Sequence, residues 1–303
     1  MRDFKNLKQI LTTLFFALTL SITSAFSSPP KIYILQIVEH PALNATRDGF
    51  IDELARLGYS RGETLVLDVQ SAQGNTSLAA QIAQKFVSNN PDIIMALGTT
   101  AAQTAMTAVK GTDIKVVFSS VTDPLSAKLV EDLKAPSGQV TGVSNFIPVK
   151  PQFELFKKLV PKLKTIGVVY NPGEANSVAL NKEMEKTAKE MGLNMIFATA
   201  PKTSDVLAAS QSLCGKADAL FVSNDSTVLS AFKSVVKAAK DCKIPAFVSD
   251  VDIVDQGARA ALGPDQTELG RQTARMAVKI LKDPKGPLPQ VEFPEKTVEL
   301  VSK

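Results

Sequence analysis

Six polar turns carry most of the side chains in this sequence that could do chemistry, and each follows a short apolar run. They are 36–41 (QIVEHP), Gly98-Thr99-Thr100, 119–124 (SSVTDP), 170–177 (YNPGEANS), 223–227 (SNDST) and 249–252 (SDVD). The first three offer hydroxyls (Thr99, Thr100, Ser120, Thr122), the amides that open the next helical stretch, and the pair Glu39-His40. The last three offer Asn171, Glu174, Ser177, Asn224, Asp225 and Asp250. Helix N-termini and hydroxyls stabilise an anion such as a carboxylate. Asp225, Asp250 and Glu174 can accept charge-assisted hydrogen bonds from an ammonium group. Together they describe a site for a zwitterion, an amino acid held between two halves of the chain. A second role stays open for every one of these Ser, Thr, Asn and Asp residues, because they are also the preferred N-caps of helices. On the zwitterion reading, Asp225→Ala or Asp250→Ala costs the ligand several kcal/mol and leaves folding largely intact.

Catalytic chemistry finds less support. His40 is the single histidine, and no nucleophile is spaced to pair with it, so contact with a ligand or a turn role is expected. The turn at Gly98 has one glycine where a dinucleotide fold needs G-x-G-x-x-G, and neither G-x-x-x-x-G-K-[ST] nor G-x-S-x-G occurs. Asp250-Val251-Asp252 lacks the glycine and closing glutamate of a calcium loop. Two cysteines, Cys214 and Cys242, have no third Cys or His nearby for zinc. No catalytic residue, metal or cofactor is therefore expected.

The elements that must position the turns alternate. Apolar runs at 32–38, 64–69, 92–97, 116–119, 166–170, 194–198, 218–222 and 246–248 fit strands of a parallel sheet covered on both faces. Helical periodicity lies between them, as in Leu43, Phe50, Ile51, Leu54 and Leu57, or in Leu269, Met276 and Ile280 behind a capping box at Asp265 and Glu268. The order appears twice: PDIIMALGTTAAQTAMTAV (91–109) parallels ADALFVSNDSTVLSAFKSVV (217–236), and IKVVFSSVTDPL (114–125) parallels IPAFVSDVDIV (244–254). The expected fold is α/β, with two similar doubly wound parallel-sheet lobes joined by a multi-strand hinge. Crossings are expected at 135–151 and 257–264, with a third, plus an edge strand, in the tail from 284 to 303. This divides the chain into a leader (1–25), a first lobe (26–145 plus 264–286) and a second (146–263 plus 287–303).

The leader reads as a signal peptide: Arg2, Lys5 and Lys8, an uncharged apolar stretch from Ile10 to Ile22, then Thr23-Ser24-Ala25. An uncleaved anchor is the alternative, but the apolar run is short of the ~20 residues a span needs. No cysteine stands at the cleavage site to carry a lipid. The leader holds Arg2, Lys5, Lys8 and Asp3, so its removal lowers the net charge of +4 by two. Nucleic-acid binding is not indicated, and release into the periplasm as a monomer is expected. In that oxidising compartment Cys214 and Cys242 either pair or remain two buried thiols.

Four segments, EHPALNATRDGFIDELARLGY, VFSSVTDPLSAKLVEDL, VTGVSNFIPV and above all GVVYNPGEANSVA, resemble the ABC-transporter substrate-binding proteins of the tryptophan/tyrosine-binding type. The resemblance runs from Lys31 to about Leu281 and implies the type I periplasmic-binding-protein fold. It further implies capture of a small solute, often an aromatic amino acid, and its delivery to a membrane permease with a cytoplasmic ATPase. On that pattern Thr99, Thr100, Ser120 and Thr122 hold the carboxylate, Asp225 and Asp250 the amino group, and Asn171, Glu174 and Ser177 line the second lobe's rim. The chain departs from the pattern at Asn224-Asp225-Ser226, where Thr-Asp-Asn is usual, and at Pro264-Asp265-Gln266, where Val-Asp-Tyr is usual. Without Trp, an aromatic wall has to come from Tyr170, Phe118, Phe146 or Phe221, which otherwise are core residues. A sensor that presents its solute to a membrane signalling receptor is the alternative to transport, and a periplasmic enzyme using His40 is a third reading.

Overall fold

The computed structural model describes residues 28–302; the expected signal peptide lies outside them. The first half of the chain supplies β1 (Lys31–Gln36), α1 (Pro41–Arg56), β2 (Val66–Ser71), α2 (Thr76–Ser88), β3 (Ile93–Leu97), α3 (Thr99–Ala108), β4 (Lys115–Val121) and β5 (Val140–Ser144). The strands form a five-stranded parallel sheet in the order β2-β1-β3-β4-β5. Successive side chains of a strand face opposite ways. Accordingly Tyr33 and Leu35 enter one apolar cluster with Phe86 and Val116, while Ile32 and Ile34 enter another with Phe50, Leu54 and Met276. Both faces are covered by helices, and this is why the strands read as unbroken apolar runs.

The second half repeats the plan with α4 (Val149–Leu159), β6 (Thr165–Tyr170), α5 (Ala175–Glu190), β7 (Asn194–Thr199), α6 (Val206–Gln211), β8 (Ala219–Val222), α7 (Ser226–Ser230), α8 (Phe232–Cys242), β9 (Ala246–Val248) and β10 (Ala260–Pro264). Its sheet order is β11-β10-β9-β8-β6-β7. Without the edge strand β11 (Thr297–Val301), antiparallel to β10, this is the order of the first sheet again. The duplication is thus present in topology as well as in sequence.

Three passages connect the sheets. The chain leaves the first after β5, returns after β10 into α9 (Gln266–Lys282), and runs back past β5, where Ser144 N–H donates to Glu292 O at 2.8 Å, before forming β11. The helix α9 lies against α1. Their backbones approach so closely that a Cβ at Gly49 would meet Thr267 O and one at Gly270 would meet Thr46 O. Asp265 caps α9 by accepting from Glu268 N–H at 3.0 Å, but Glu268 turns away to Arg275 rather than closing a capping box.

Two further expectations need correction. Residues 140–144, taken for a crossing, are the fifth strand of the first sheet. Leu57, assigned to the core stripe of α1, is 42% exposed because the helix ends at Arg56. Among the described residues no helix is long and apolar enough to cross a membrane, and no cluster of His, Cys, Asp and Glu could hold a metal.

Cys214, just past α6, and Cys242, the last residue of α8, are joined in a disulfide with Cα atoms 5.3 Å apart. The bridge closes a loop of sequence separation 28 on the outer layer of the second lobe. A loop of that length implies about 3–4 kcal/mol of stabilisation. The double variant Cys214→Ala/Cys242→Ala should therefore lose about that much in urea unfolding while ligand affinity stays unchanged.

Candidate functional site

The carboxyl ends of both sheets face each other across a cleft, the place where ligands bind in open α/β sheets. On the first lobe, Gly98 adopts φ +92°, a conformation L side chains avoid, so that α3 starts directly at the cleft. No side chain caps that helix, which leaves its first-turn amides and its positive dipole end available. The register of β4 against β5 shifts between Ser119 and Val121, and Ser120 sits at φ +56°. Such a bulge at a strand end re-aims a side chain, and Ser120 lines the cleft beside Gly98 and Thr99.

His40 is the N-cap of α1. Its Nδ1 accepts from Ala42 N–H at 3.3 Å, and this places the ring proton on Nε2. Nε2 is buried and without a hydrogen-bond partner among the described residues. Burial lowers the His40 pKa to about 4, so the ring is neutral. From the second lobe Asp250 comes to 3.4 Å of His40 Nδ1. One of its oxygens, Oδ1, accepts from Asp252 N–H at 3.0 Å and caps the 3₁₀ turn at Val251–Gln256. The other, Oδ2, is buried with no hydrogen-bond partner among the described residues, since the Nδ1 lone pair is already committed to Ala42. Burial pushes the Asp250 pKa up to about 7. His40 on one lobe and Asp250 on the other, each with one buried polar atom lacking a partner among the described residues, thus border one cavity.

The cavity is small, about 40 Å³. Asn145 and Gln266 complete the first lobe's wall and Asn176, Asn224 and Ser226 the second's, with Val38, Leu43 and Leu229 as its apolar part. Thr46 Oγ1 lies 3.1 Å from Gln266 Oε1 and 3.0 Å from Ala42 O, the two acceptors that share its one proton. Past Val38 and Ser226 the space widens into the cleft mouth, about 670 Å³, where Thr100, Asn171 and Glu174 stand.

Of the residues nominated from sequence, His40, Thr99, Ser120, Asn224 and Asp250 meet at the inner cavity. Others do not. Glu39 faces outward to Arg47, 3.4 Å away. Ser177 is wholly buried and donates to Asp225 Oδ2 at 2.7 Å. Thr122 lies behind the cavity wall, bonded to Asn145.

Asp225 is the main correction. Its Oδ1 accepts from Val228 N–H at 2.9 Å and its Oδ2 from Asn171 N–H at 2.7 Å as well as from Ser177. The residue is wholly buried and lines neither the inner cavity nor its mouth, so it presents no acceptor to an ammonium group there. Glu174 is likewise engaged, by Ser226 N–H at 2.9 Å and by Thr227 N–H and Oγ1–H at 3.0 and 2.8 Å. The two carboxylates brace the turns before α5 and α7 against each other. Burial, with the charge of Glu174 beside it, pushes the Asp225 pKa up to about 7.

Sequence reasoning missed Asn145, Asn176 and Gln266. Asn176 and Gln266 stand in the first turns of α5 and α9, a position that could have nominated them; Asn145 follows the unrecognised β5. The expected aromatic wall is absent from the inner cavity. Phe118 and Phe221 are fully buried in the lobe cores, Tyr170 packs edge-on against Phe197, and Phe146 lines a separate groove beside the hinge.

Residues 31–296 match the family model described as ABC transporter substrate binding protein. A tyrosine-binding protein from Clostridioides difficile is 38% identical over 252 residues, 83% of this chain and 72% of the relative. A conserved domain protein from Vibrio cholerae superposes with a TM-score of 0.88 at 40% identity, covering 91% of this chain and 93% of that one. An ABC domain from Streptococcus pneumonia in complex with L-Trp gives 0.86 at 34% identity, over 91% and 92% of the two chains. The ligand-free, open structure of a substrate-binding protein with adhesive properties from Clostridium difficile gives 0.69 at 37%, over 90% and 92%. In this chain the two lobes touch across the cleft, with His40 Nδ1 3.4 Å from Asp250 Oδ2 and Asn224 Nδ2 donating to Thr122 Oγ1 at 3.4 Å, so the cleft is closed.

Proposed function

This chain belongs to the ABC transporter substrate-binding proteins, a family of binding proteins rather than enzymes, and from that premise we propose that it captures an α-amino acid in the periplasm and delivers it to an ABC permease. The observation that carries the reading is the orphaned pair at the inner cavity. Asp250 Oδ2 receives the ammonium group, while His40 Nε2–H, the hydroxyls of Thr99 and Ser120 and the open N-terminus of α3 receive the carboxylate. The inner cavity suits the zwitterionic head. The side chain runs along Val38, Leu43 and Leu229 toward the wider mouth.

Relatives named for tyrosine and bound to tryptophan make these two amino acids the first candidates. A sensory partner gains no support from a family of transport components. A thermal-shift screen of amino acids, organic acids, nucleosides and sugars tests the proposal. The right ligand adds roughly 2.7 kcal/mol of stability at a hundredfold excess over Kd. A response to a sugar or nucleoside and to no amino acid would sink it.

A further inference from the structure

Thr122 was expected to touch the ligand, yet it stands outside the inner cavity and does something else. Its Oγ1 donates to Asn145 Oδ1 at 3.1 Å within the first lobe and accepts from Asn224 Nδ2 at 3.4 Å across the cleft. Ser249 Oγ donates in turn to Asn224 Oδ1 at 2.9 Å, and Ser144 Oγ holds the Thr122 carbonyl at 3.1 Å. The result is a one-way relay of donors, Ser249 to Asn224 to Thr122 to Asn145, that spans both lobes with Thr122 4% exposed. Only a hydroxyl can accept from one carboxamide and donate to the next at a single atom. Asn145 and Asn224 both face the cavity, so the same hydroxyl also decides which way each carboxamide points.

We propose that Thr122 is a positioning residue, a clasp that forms as the lobes close, holds them together and orients Asn145 and Asn224 toward the ligand without touching it. The clasp exists only in the closed state, so it slows release and leaves capture by the open state unchanged. Its geometry stands apart from the identity of the solute, but its kinetic test rests on the amino-acid reading.

The test is stopped-flow binding of L-tyrosine or L-tryptophan, whichever the wild type binds. Thr122→Val keeps the shape and removes both hydrogen bonds; Thr122→Ser keeps the hydroxyl. Dissociation from Thr122→Val should be about tenfold faster, the loss expected for the one hydrogen bond that crosses the cleft. Association should be unchanged, Thr122→Ser should behave as wild type, and ligand-free Thr122→Val should melt only slightly lower, because the bond it loses to Asn145 lies within one lobe. If Thr122→Val does not fold, Thr122→Ala takes its place. Wild-type dissociation from Thr122→Val, or an equal loss in Thr122→Ser, overturns the clasp. Failure of the wild type to bind any amino acid would instead overturn the functional reading.

Discussion

Asp250→Asn should lower affinity for the amino-acid ligand by two to three orders of magnitude, roughly 3–4 kcal/mol, the scale for deleting one charge of a buried hydrogen-bonded pair. The variant keeps the Oδ1 acceptor for Asp252 N–H but offers the ammonium group an amide in place of a carboxylate. Folding should survive. The Asp250 pKa of about 7 lies above its ordinary 3.8, so the carboxylate reduces stability as pH rises between those values. Removing the charge removes that loss, and ligand-free Asp250→Asn should be at least as stable as wild type at pH 8.

Binding carries the matching sign. An ammonium group on Oδ2 needs the ionised carboxylate, so capture expels a proton wherever the free site is protonated. Affinity should be flat above pH 7 and fall about tenfold per unit below it. The dependence should vanish in Asp250→Asn. Titration calorimetry between pH 5.5 and 8.5 checks both; a pH-independent wild type would contradict the assignment.

Asp225→Ala should have the opposite profile, a large loss of stability with binding retained in the folded fraction. The substitution strips acceptors from Asn171 N–H, Val228 N–H and the Ser177 hydroxyl, all around a wholly buried residue. Unpaired buried donors cost about 1–3 kcal/mol each, so a total near 3–5 kcal/mol is expected after relaxation. At about 2–4 °C per kcal/mol for a chain of this size, the melting temperature should drop by roughly 6–20 °C. Calorimetric melting, with binding measured at 10 °C, separates this from a ligand role. Wild-type melting with binding lost would restore Asp225 to the ammonium site that the sequence assigns it.

The contrast between these two aspartates shows where sequence reading stops. Both follow a strand, both precede a helical turn, and both cap it. What separates them is the second oxygen. Asp225 Oδ2 meets the turn after β6, whereas Asp250 Oδ2 meets the cleft, and that depends on contacts between segments 54 residues apart in one case and on lobe closure in the other. Local pattern carries neither fact.

Fold was more legible than site. Ile32 to Leu35 or Ile93 to Leu97 are apolar on both faces, so composition alone marks them as interior strands. Residues 140–144 (VTGVS) escaped because Thr141, Gly142 and Ser144 break the apolar run, although all five residues are buried. Thr141 is satisfied there by donating to Pro289 O at 2.7 Å, a partner from the far end of the chain. His40 was legible as a cleft residue from its place after β1. Its orphaned Nε2 was not, because that follows from Nδ1 being spent on the helix cap.

If the cavity reads both ends of a zwitterion, titration calorimetry with L-tyrosine, tyramine and 4-hydroxyphenylpropionate will show it. These three share one ring and differ in the head: complete, lacking the carboxylate, or lacking the ammonium group. L-Tyrosine should bind, and each analogue should be weaker by at least a hundredfold, since each leaves one buried orphan, His40 Nε2 or Asp250 Oδ2, facing no partner. Binding of 4-hydroxyphenylpropionate as tightly as L-tyrosine would mean that Asp250 does not receive an ammonium group.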